Sequence, residues 1–320
     1  MGIQASAEVK YGLIYEAVRY DGNMLNISHM CRIAGVSRSG YYAWCDAAPA
    51  REARDAQDKA DFALVLEAYR FRGYKKGAKS IYMRLLHTGV RMNLKKIRRL
   101  MKKYGLFCPI RKPNPYRQMA KALKTSNVAP NIVARDFVSR GIRKVLLTDI
   151  TYLFYANEKC YLSTILDAKT HQILAYKLSE SFDVQFVLDT VDELITKHGS
   201  TLDNDTIVHS DQGCHYTSYA FIQKLRDADY VQSMSRKGNC WDNAPQESFY
   251  GHMKDDIAEH IADCETFEEM VPAIADFMDY YNKDRYQWEL LKLSPDEYYE
   301  YLVTGVYPLP LYDPDSNDEV

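Results

Sequence analysis

The 320-residue chain has no apolar run approaching the roughly 18 residues that a membrane span requires. Its N-terminus lacks the apolar core of a secretory signal. Seven cysteines are scattered at Cys31, Cys45, Cys108, Cys160, Cys214, Cys240 and Cys264, odd in number and without a C-x-x-C pair. That pattern excludes a disulfide framework and a zinc ribbon, and it fits a reducing, cytoplasmic setting. There is no internal repeat, low-complexity tract or long heptad run. Acids are missing from one long stretch. Between Arg70 and Lys144 stand 22 Lys and Arg against a single acid, Asp136. The whole chain carries −2, so this segment is +21 and the remainder −23. A solvated helix face normally mixes signs. A block of one sign points to a polyanion.

What is present divides the chain. Residues 1–69 read as a helical region, with Asn26–Trp44 in a helix-turn-helix cadence. Ile27, Met30, Ile33 and Ala34 offer an apolar face, Gly35 a turn, and Ser37 a cap for a second helix that exposes Arg38, Ser39 and Tyr42. An ordinary helical hairpin fits that stretch as well. Residues 70–107 form a second candidate. Gly77–Leu86 is one helix, Thr88–Met92 the turn, and Asn93 caps a helix over Leu94–Tyr104 that Gly105 ends. Leu94, Ile97, Leu100 and Met101 recur at helical spacing. Lys95, Lys96, Arg98, Arg99, Lys102 and Lys103 cover the rest, which suits phosphates and guanine edges. Residues 108–139, with Pro109, Pro113, Pro115 and Pro130 among basic residues such as Arg111 and Lys112, read as a basic linker lying on a DNA backbone or ordering upon binding.

From about residue 140 to 300 the pattern becomes strands and helices. Strands are expected at 145–151, 160–166, 172–178, 206–209 and 230–234, and helices at 183–197, 217–228, around Glu247, at 267–283 and after Ser294. Three strands in hairpin order followed by alternation mean α/β with a mixed sheet. Residues 301–320 form a tail. Asp149 and Asp211 each follow a short β-branched run, and Glu247 lies in a helix start, Trp241–Phe249. Two acids at strand ends and one on a helix can hold divalent ions. Mg²⁺ prefers hard oxygen ligands, and two ions roughly 3.5–4 Å apart can clamp the attacking and leaving oxygens of a phosphodiester.

The residues around the acids are Thr148-Asp149-Ile150-Thr151, His209-Ser210-Asp211-Gln212-Gly213 and Trp241-Asp242-Asn243-Ala244-Pro245-Gln246-Glu247-Ser248, with 35 residues between the last two carboxylates. Together they resemble the catalytic core of retroviral-integrase-like DDE transposases, in particular the second-frame (B-frame) product of two-frame bacterial insertion sequences. Val36–Tyr42, Tyr74–Leu106, Tyr281–Arg285 and Leu293–Pro295 extend that resemblance over nearly the whole chain. It implies a ribonuclease-H-like core with a mixed five-stranded sheet, preceded by all-helical, helix-turn-helix-type DNA-binding regions. It implies Asp149, Asp211 and Glu247 as catalytic ligands of two Mg²⁺, with Mn²⁺ as a substitute. The chemistry would be cleavage at element ends and transfer of the freed 3′-end to target DNA. The partners implied are double-stranded DNA (terminal inverted repeats and target), further copies of the chain on that DNA, and an upstream-frame protein or fusion segment. The setting implied is a bacterial cytoplasm at the nucleoid.

Other polar residues have two readings each. Asp167 ends a strand and rivals the triad as a ligand. Asp183 sits where a helix cap would. His209 can orient a carboxylate or make a local structural hydrogen bond. Asn243 can touch DNA or cap a helix. Lys254 lies two turns beyond Glu247 on the same helix face, placed for contact with a DNA end. Arg285 can bind phosphate or pair with Asp284 or Glu289. Two rival functions are a DNA-binding regulator with an inactive core and a ribonuclease-H-type nuclease on RNA–DNA hybrid.

Overall fold

A computed structural model describes residues 5–108, 128–156, 158–236 and 240–310. The chain forms two compact units, Met1–Leu64 and Val65–Val320.

In the first unit, helices α1 (Ala7–Arg19), α2 (Ile27–Ala34) and α3 (Arg38–Asp46) surround a small core of Ile14, Met30, Cys31 and Tyr41. Gly35, at φ +64°, makes the left-handed turn between α2 and α3. The Ser37 hydroxyl caps α3 by accepting from the Gly40 amide at 3.0 Å. The expected inner face shifts by one position. Cys31 is buried, whereas Ile33 is 68% exposed. Helix α4 (Ala48–Arg70) carries the unit boundary.

The second unit begins with α5 (Ala78–His87) and α6 (Leu94–Lys103). Asn93 caps α6 through the Lys95 amide at 2.7 Å. Leu94, Ile97, Leu100 and Met101 are its buried residues, as the spacing predicts. Five strands then form one sheet: β1 (Val145–Tyr155), β2 (Glu158–Asp167), β3 (Ile173–Ser179), β4 (Ile207–Ser210) and β5 (Val231–Met234), in the order β3-β2-β1-β4-β5. β1, β2 and β3 pair antiparallel, and β4 and β5 join parallel to β1. One face packs on α9 (Ala244–Ile257) and α10 (Phe267–Lys283) through Val145, Leu147, Phe249, Met253 and Phe277. The other packs on α7 (Gln185–His198) and α8 (Tyr219–Asp227) through Leu146, Val208, Val191 and Phe221. Helix α11 (Pro295–Thr304) starts at a capping box of Ser294 and Glu297.

Two expectations change. The expected 108–139 linker is packed structure from residue 128 onward. Val133 is fully buried, and the Ser233 hydroxyl on β5 accepts from the amides of Ile132 (2.9 Å) and Val133 (3.4 Å). The apolar side chain and the satisfied amides hold it against the sheet. Nor does 70–107 stand apart from the core. Tyr74 stacks between His260 (4.3 Å) and Tyr280 (4.1 Å) and donates to Asp276 at 2.8 Å. Arg72 pairs with Asp279 at 2.9 Å and Asp284 at 3.3 Å. His87 meets Glu297 on α11 at 3.0 Å.

Candidate active site

The register of β1 and β4 places the first two acids side by side. Leu147 pairs with His209 in the parallel ladder. Asp149 and Asp211 each lie two residues further on, so both return to the face their ladder partners occupy. Adjacent strands stand about 4.8 Å apart. Leu147 belongs to the face covered by α9, and Glu247 sits in the first turn of that helix. Asp149 is half-buried; Asp211 and Glu247 are exposed.

Like charges crowd here. Burial first, then the Asp211 carboxylate, pushes the Asp149 carboxyl up to about 8, with a smaller contribution from Glu247. Asp211 is raised as well, because surrounding protein displaces water from around its carboxyl even though the residue reaches the surface. Each acid gives one oxygen to the backbone. Asp149 Oδ1 accepts from the Ile150 amide at 2.8 Å, and Asp211 Oδ1 from the Gly213 amide at 2.8 Å. Among the described residues, neither second oxygen has a hydrogen-bond partner. A Cβ at position 213 would stand 2.9 Å from Asp211 Oδ1, so a larger residue there would push that carboxylate oxygen aside. Hard oxygens under mutual repulsion fit a divalent cation. Among the described residues, no three His, Cys, Asp or Glu side chains converge as ligands of one ion.

A directed chain of hydrogen bonds seats α9 on Asp149. The Gln246 amide donates to the Thr164 hydroxyl. Thr164 meets the Tyr250 hydroxyl at 2.9 Å, and Tyr250 donates to the Asp149 carbonyl at 2.5 Å. Thr164 is the β2 partner of Asp149. Gln246 and Tyr250 flank Glu247 on α9, and all three members of the chain are buried. Neither Gln246 nor Tyr250 stands out in the sequence as part of this link. The available signal is Tyr250 three residues beyond Glu247, one turn along the same face.

Asp242, just ahead of α9, is a second anchor. Its buried carboxylate accepts from Asn131 (3.0 Å), from Arg135 Nε (2.8 Å), and from Arg236 through its amide (3.0 Å), Nε (2.9 Å) and Nη2 (2.9 Å). The Arg236 hydrogen bonds hold its carboxyl well below the usual range. Residues 236 and 242 are thereby tied together immediately before the Glu247 helix.

The remaining expected residues divide. Asp167 lies at the opposite end of the ladder, paired with Leu146, and its carboxylate is spent on the Thr170 hydroxyl and the Lys169 and Arg143 amides. Asp183 caps the start of α7 through the Phe186 amide at 3.3 Å. His209 makes a structural bond to Ser233 at 2.9 Å. Asn243 is buried, but its side chain caps no amide of α9. Lys254 stands over the Tyr152 ring at 4.5 Å, and its charge reaches Asp149. Arg285 pairs with Asp256 of α9 at 3.1 Å, not with Asp284 or Glu289, and lines a cavity of about 70 Å³ with Lys76 and Arg84. Its guanidinium thus has an acidic partner, though not one of the two expected. Lys95, Arg98, Arg99, Lys102 and Lys103 are exposed on α6, Lys96 is half-buried, and Arg38 is exposed on α3. Arg111 and Lys112 lie outside the described residues.

Comparison with known proteins follows the same outline. Residues 142–240 and 247–301 match two Integrase core domain families, and 56–114 match an HTH-like domain. A transposase-like protein of Haemophilus influenzae is 33% identical over 215 residues, 67% of this chain and 95% of that protein. InsK of Escherichia coli K12, by name a transposase of insertion sequence IS150, is 30% identical over 73% of this chain and 81% of its own length. The chain belongs to the DDE insertion-sequence transposases. InsF, the transposase of IS3A in the same organism, shares 28% identity with this transposase over 72% of the chain and 78% of InsF. The catalytic core domain of BIV integrase superposes with a TM-score of 0.40 at 18% identity, over 51% of this chain and 95% of that one. The expected mixed sheet, integrase-type core and helical HTH-like region are all present, and no helix among the described residues is long and apolar enough to cross a membrane.

Proposed function

We propose that this transposase cuts DNA at the ends of its own element and joins the freed 3′-end to a target strand, using Asp149, Asp211 and Glu247 with two Mg²⁺ ions. The observation that carries the reading is the in-register pair. Asp149 and Asp211 leave the same ladder rung two residues on, turned toward the helix that bears Glu247. Divalent ions bound there would supply an activated oxygen nucleophile and neutralise charge on the attacked phosphate. The chain's own part is to fix the carboxylates. Backbone amides of Ile150 and Gly213 orient one oxygen of each aspartate, leaving the other for a ligand. The hydrogen-bond chain from Gln246 to the Asp149 carbonyl holds the Glu247 helix against β1. The exposed cations of α6 would hold duplex DNA by its phosphates, and two ends paired on one complex would require more than one copy of the chain.

The test is end-bearing DNA with Mg²⁺. Asp149→Asn, Asp211→Asn and Glu247→Gln each lower cleavage and strand transfer by at least about a hundredfold, since each removes charge stabilisation of several kcal/mol, while DNA binding survives. An Asp211→Asn protein that cuts at the normal rate overturns the assignment. A wild-type protein that binds ends but never nicks them is the inactive-core regulator.

A further inference from the structure

The start of α9 buries two side-chain amides, those of Asn243 and Gln246, at 4% and 0% exposure. Among the described residues, neither Asn243 Oδ1 nor Gln246 Oε1 has a hydrogen-bond partner. A buried acceptor without a donor costs about 1–3 kcal/mol, so such atoms are rare and mark a missing partner. The place of the Gln246 amide is fixed from its other end. Its nitrogen donates to the Thr164 hydroxyl, which turns the carbonyl oxygen away from Thr164. Thr164 is the β2 partner of Asp149. Partners across an antiparallel pair project from the same face, with Cβ atoms about 4.5–5.5 Å apart. That face is the one covered by α9, because Leu147, two residues before Asp149, belongs to it. The Gln246 amide is thus one hydrogen bond removed from the side chain beside Asp149, and Glu247 is the next residue along the helix.

Neighbouring donors are already engaged. The Tyr250 hydroxyl gives its proton to the Asp149 carbonyl, and the Ile150 amide gives its own to Asp149 Oδ1. Ionised carboxylates, those of Asp149, Asp211 and Glu247 included, only accept. A divalent cation bound by these acids would bring the donor. Mg²⁺ dehydrates reluctantly and keeps several waters when carboxylates bind it, and each such water has two O–H groups to give. Successive residues of a helix point about 100° apart. Gln246 and Glu247 therefore do not aim at one point, and a water bridges the offset on the Gln246 side.

We infer that Gln246 Oε1 accepts a hydrogen bond from a water of the divalent ion proposed for Asp149, Asp211 and Glu247, which makes Gln246 a positioning residue for that ion. The inference rests on the proposed metal site of the three acids, and its test separates the two. The full-length chain is titrated with Mn²⁺ in the absence of DNA, and free Mn²⁺ is read by electron paramagnetic resonance. An unsubstituted chain that takes up no Mn²⁺, or an Asp211→Asn chain that takes it up undiminished, sinks the acid site itself. Gln246→Met, similar in length but without an acceptor oxygen, weakens Mn²⁺ binding by at least about tenfold, the lower end of the loss on removing an outer-shell partner of a metal. Gln246→Glu keeps an acceptor at the same place and binds Mn²⁺ at least as tightly as the unsubstituted chain. The inference is overturned if Asp211→Asn loses the ion while Gln246→Met keeps it. It is overturned too if Gln246→Glu is as weak as Gln246→Met, which would leave the link to Thr164 as the whole role of the residue. Should the Met variant fail to fold, Gln246→Glu decides alone: binding at least as tight upholds the inference, and weaker binding overturns it.

Discussion

Tyr250 shows how one hydroxyl can connect two elements of the candidate site. It lies one turn beyond Glu247 and ends on the carbonyl of Asp149 itself. Tyr250→Phe removes that donor from a buried carbonyl and costs about 1–2 kcal/mol of stability. It also raises the Mg²⁺ concentration needed for half-maximal cleavage, because α9 is no longer pinned to β1. A metal titration of end cleavage checks this, and an unchanged midpoint would reduce Tyr250 to a packing residue. Asp242 acts through charge. Its carboxyl is depressed below the unfolded value of about 3.9, so its stabilisation is complete above that value and is lost as pH falls through the folded pKa. Asp242→Asn therefore destabilises by about 1–3 kcal/mol near neutral pH. The gap to the wild type narrows as pH drops below about 4, and denaturation at several pH values measures it. A gap independent of pH would assign the effect to shape rather than charge.

At the scale of elements, the periodicities did most of the work. Alternation and β-branched runs located all five strands, and helical spacing located α6 with its four buried residues. β1 runs to Tyr155, past the expected end at 151, because Tyr152 and Phe154 continue the strand pattern on a hairpin rather than under a helix. Register was not legible. The side-by-side placement of Asp149 and Asp211 depends on the pairing of Leu147 with His209, a contact across 62 residues that no local pattern encodes. The anchor at Asp242 was equally hidden, since its partners come from Asn131, Arg135 and Arg236. So was the docking of Arg72, Tyr74 and His87 on α10 and α11. Arg72, facing three aspartates from a left-handed backbone at φ +53°, is central to that joint. Arg72→Ala should lower the unfolding free energy by about 1–3 kcal/mol. Urea denaturation tests it, and an unaltered midpoint would show that the ring stack at Tyr74 suffices.

At the scale of the whole molecule, the charge asymmetry means less than the residue count suggests. Part of the basic segment is paired with acids of the same chain. Arg72 meets Asp279 and Asp284, Lys75 meets Glu259, Arg135 meets Asp242, and Lys144 meets Asp203 and Asp205. The basic segment and the acidic body are thus partly each other's counterions. Among the described residues, Lys95, Arg98 and Lys102 on α6 are exposed cations that a phosphate could reach. Replacing Lys95, Arg98 and Lys102 together by alanine should reduce the slope of log affinity against log salt by about one per residue engaged. An unchanged slope would move the duplex contact away from α6.

The parallel seam between β1 and β4 also bears on how the protein is made. The β1–β2–β3 meander closes over short distances, whereas β1 must wait about sixty residues for β4, and pairings of long sequence separation form late. During synthesis the basic helix α6 leaves the ribosome well before the second aspartate exists. A chain interrupted anywhere between residues 108 and 206 cannot assemble the acid pair proposed to cut DNA. It also lacks α10 and α11, on which Arg72, Tyr74 and His87 dock, so the segment proposed to hold DNA is completed only when the cutting site is.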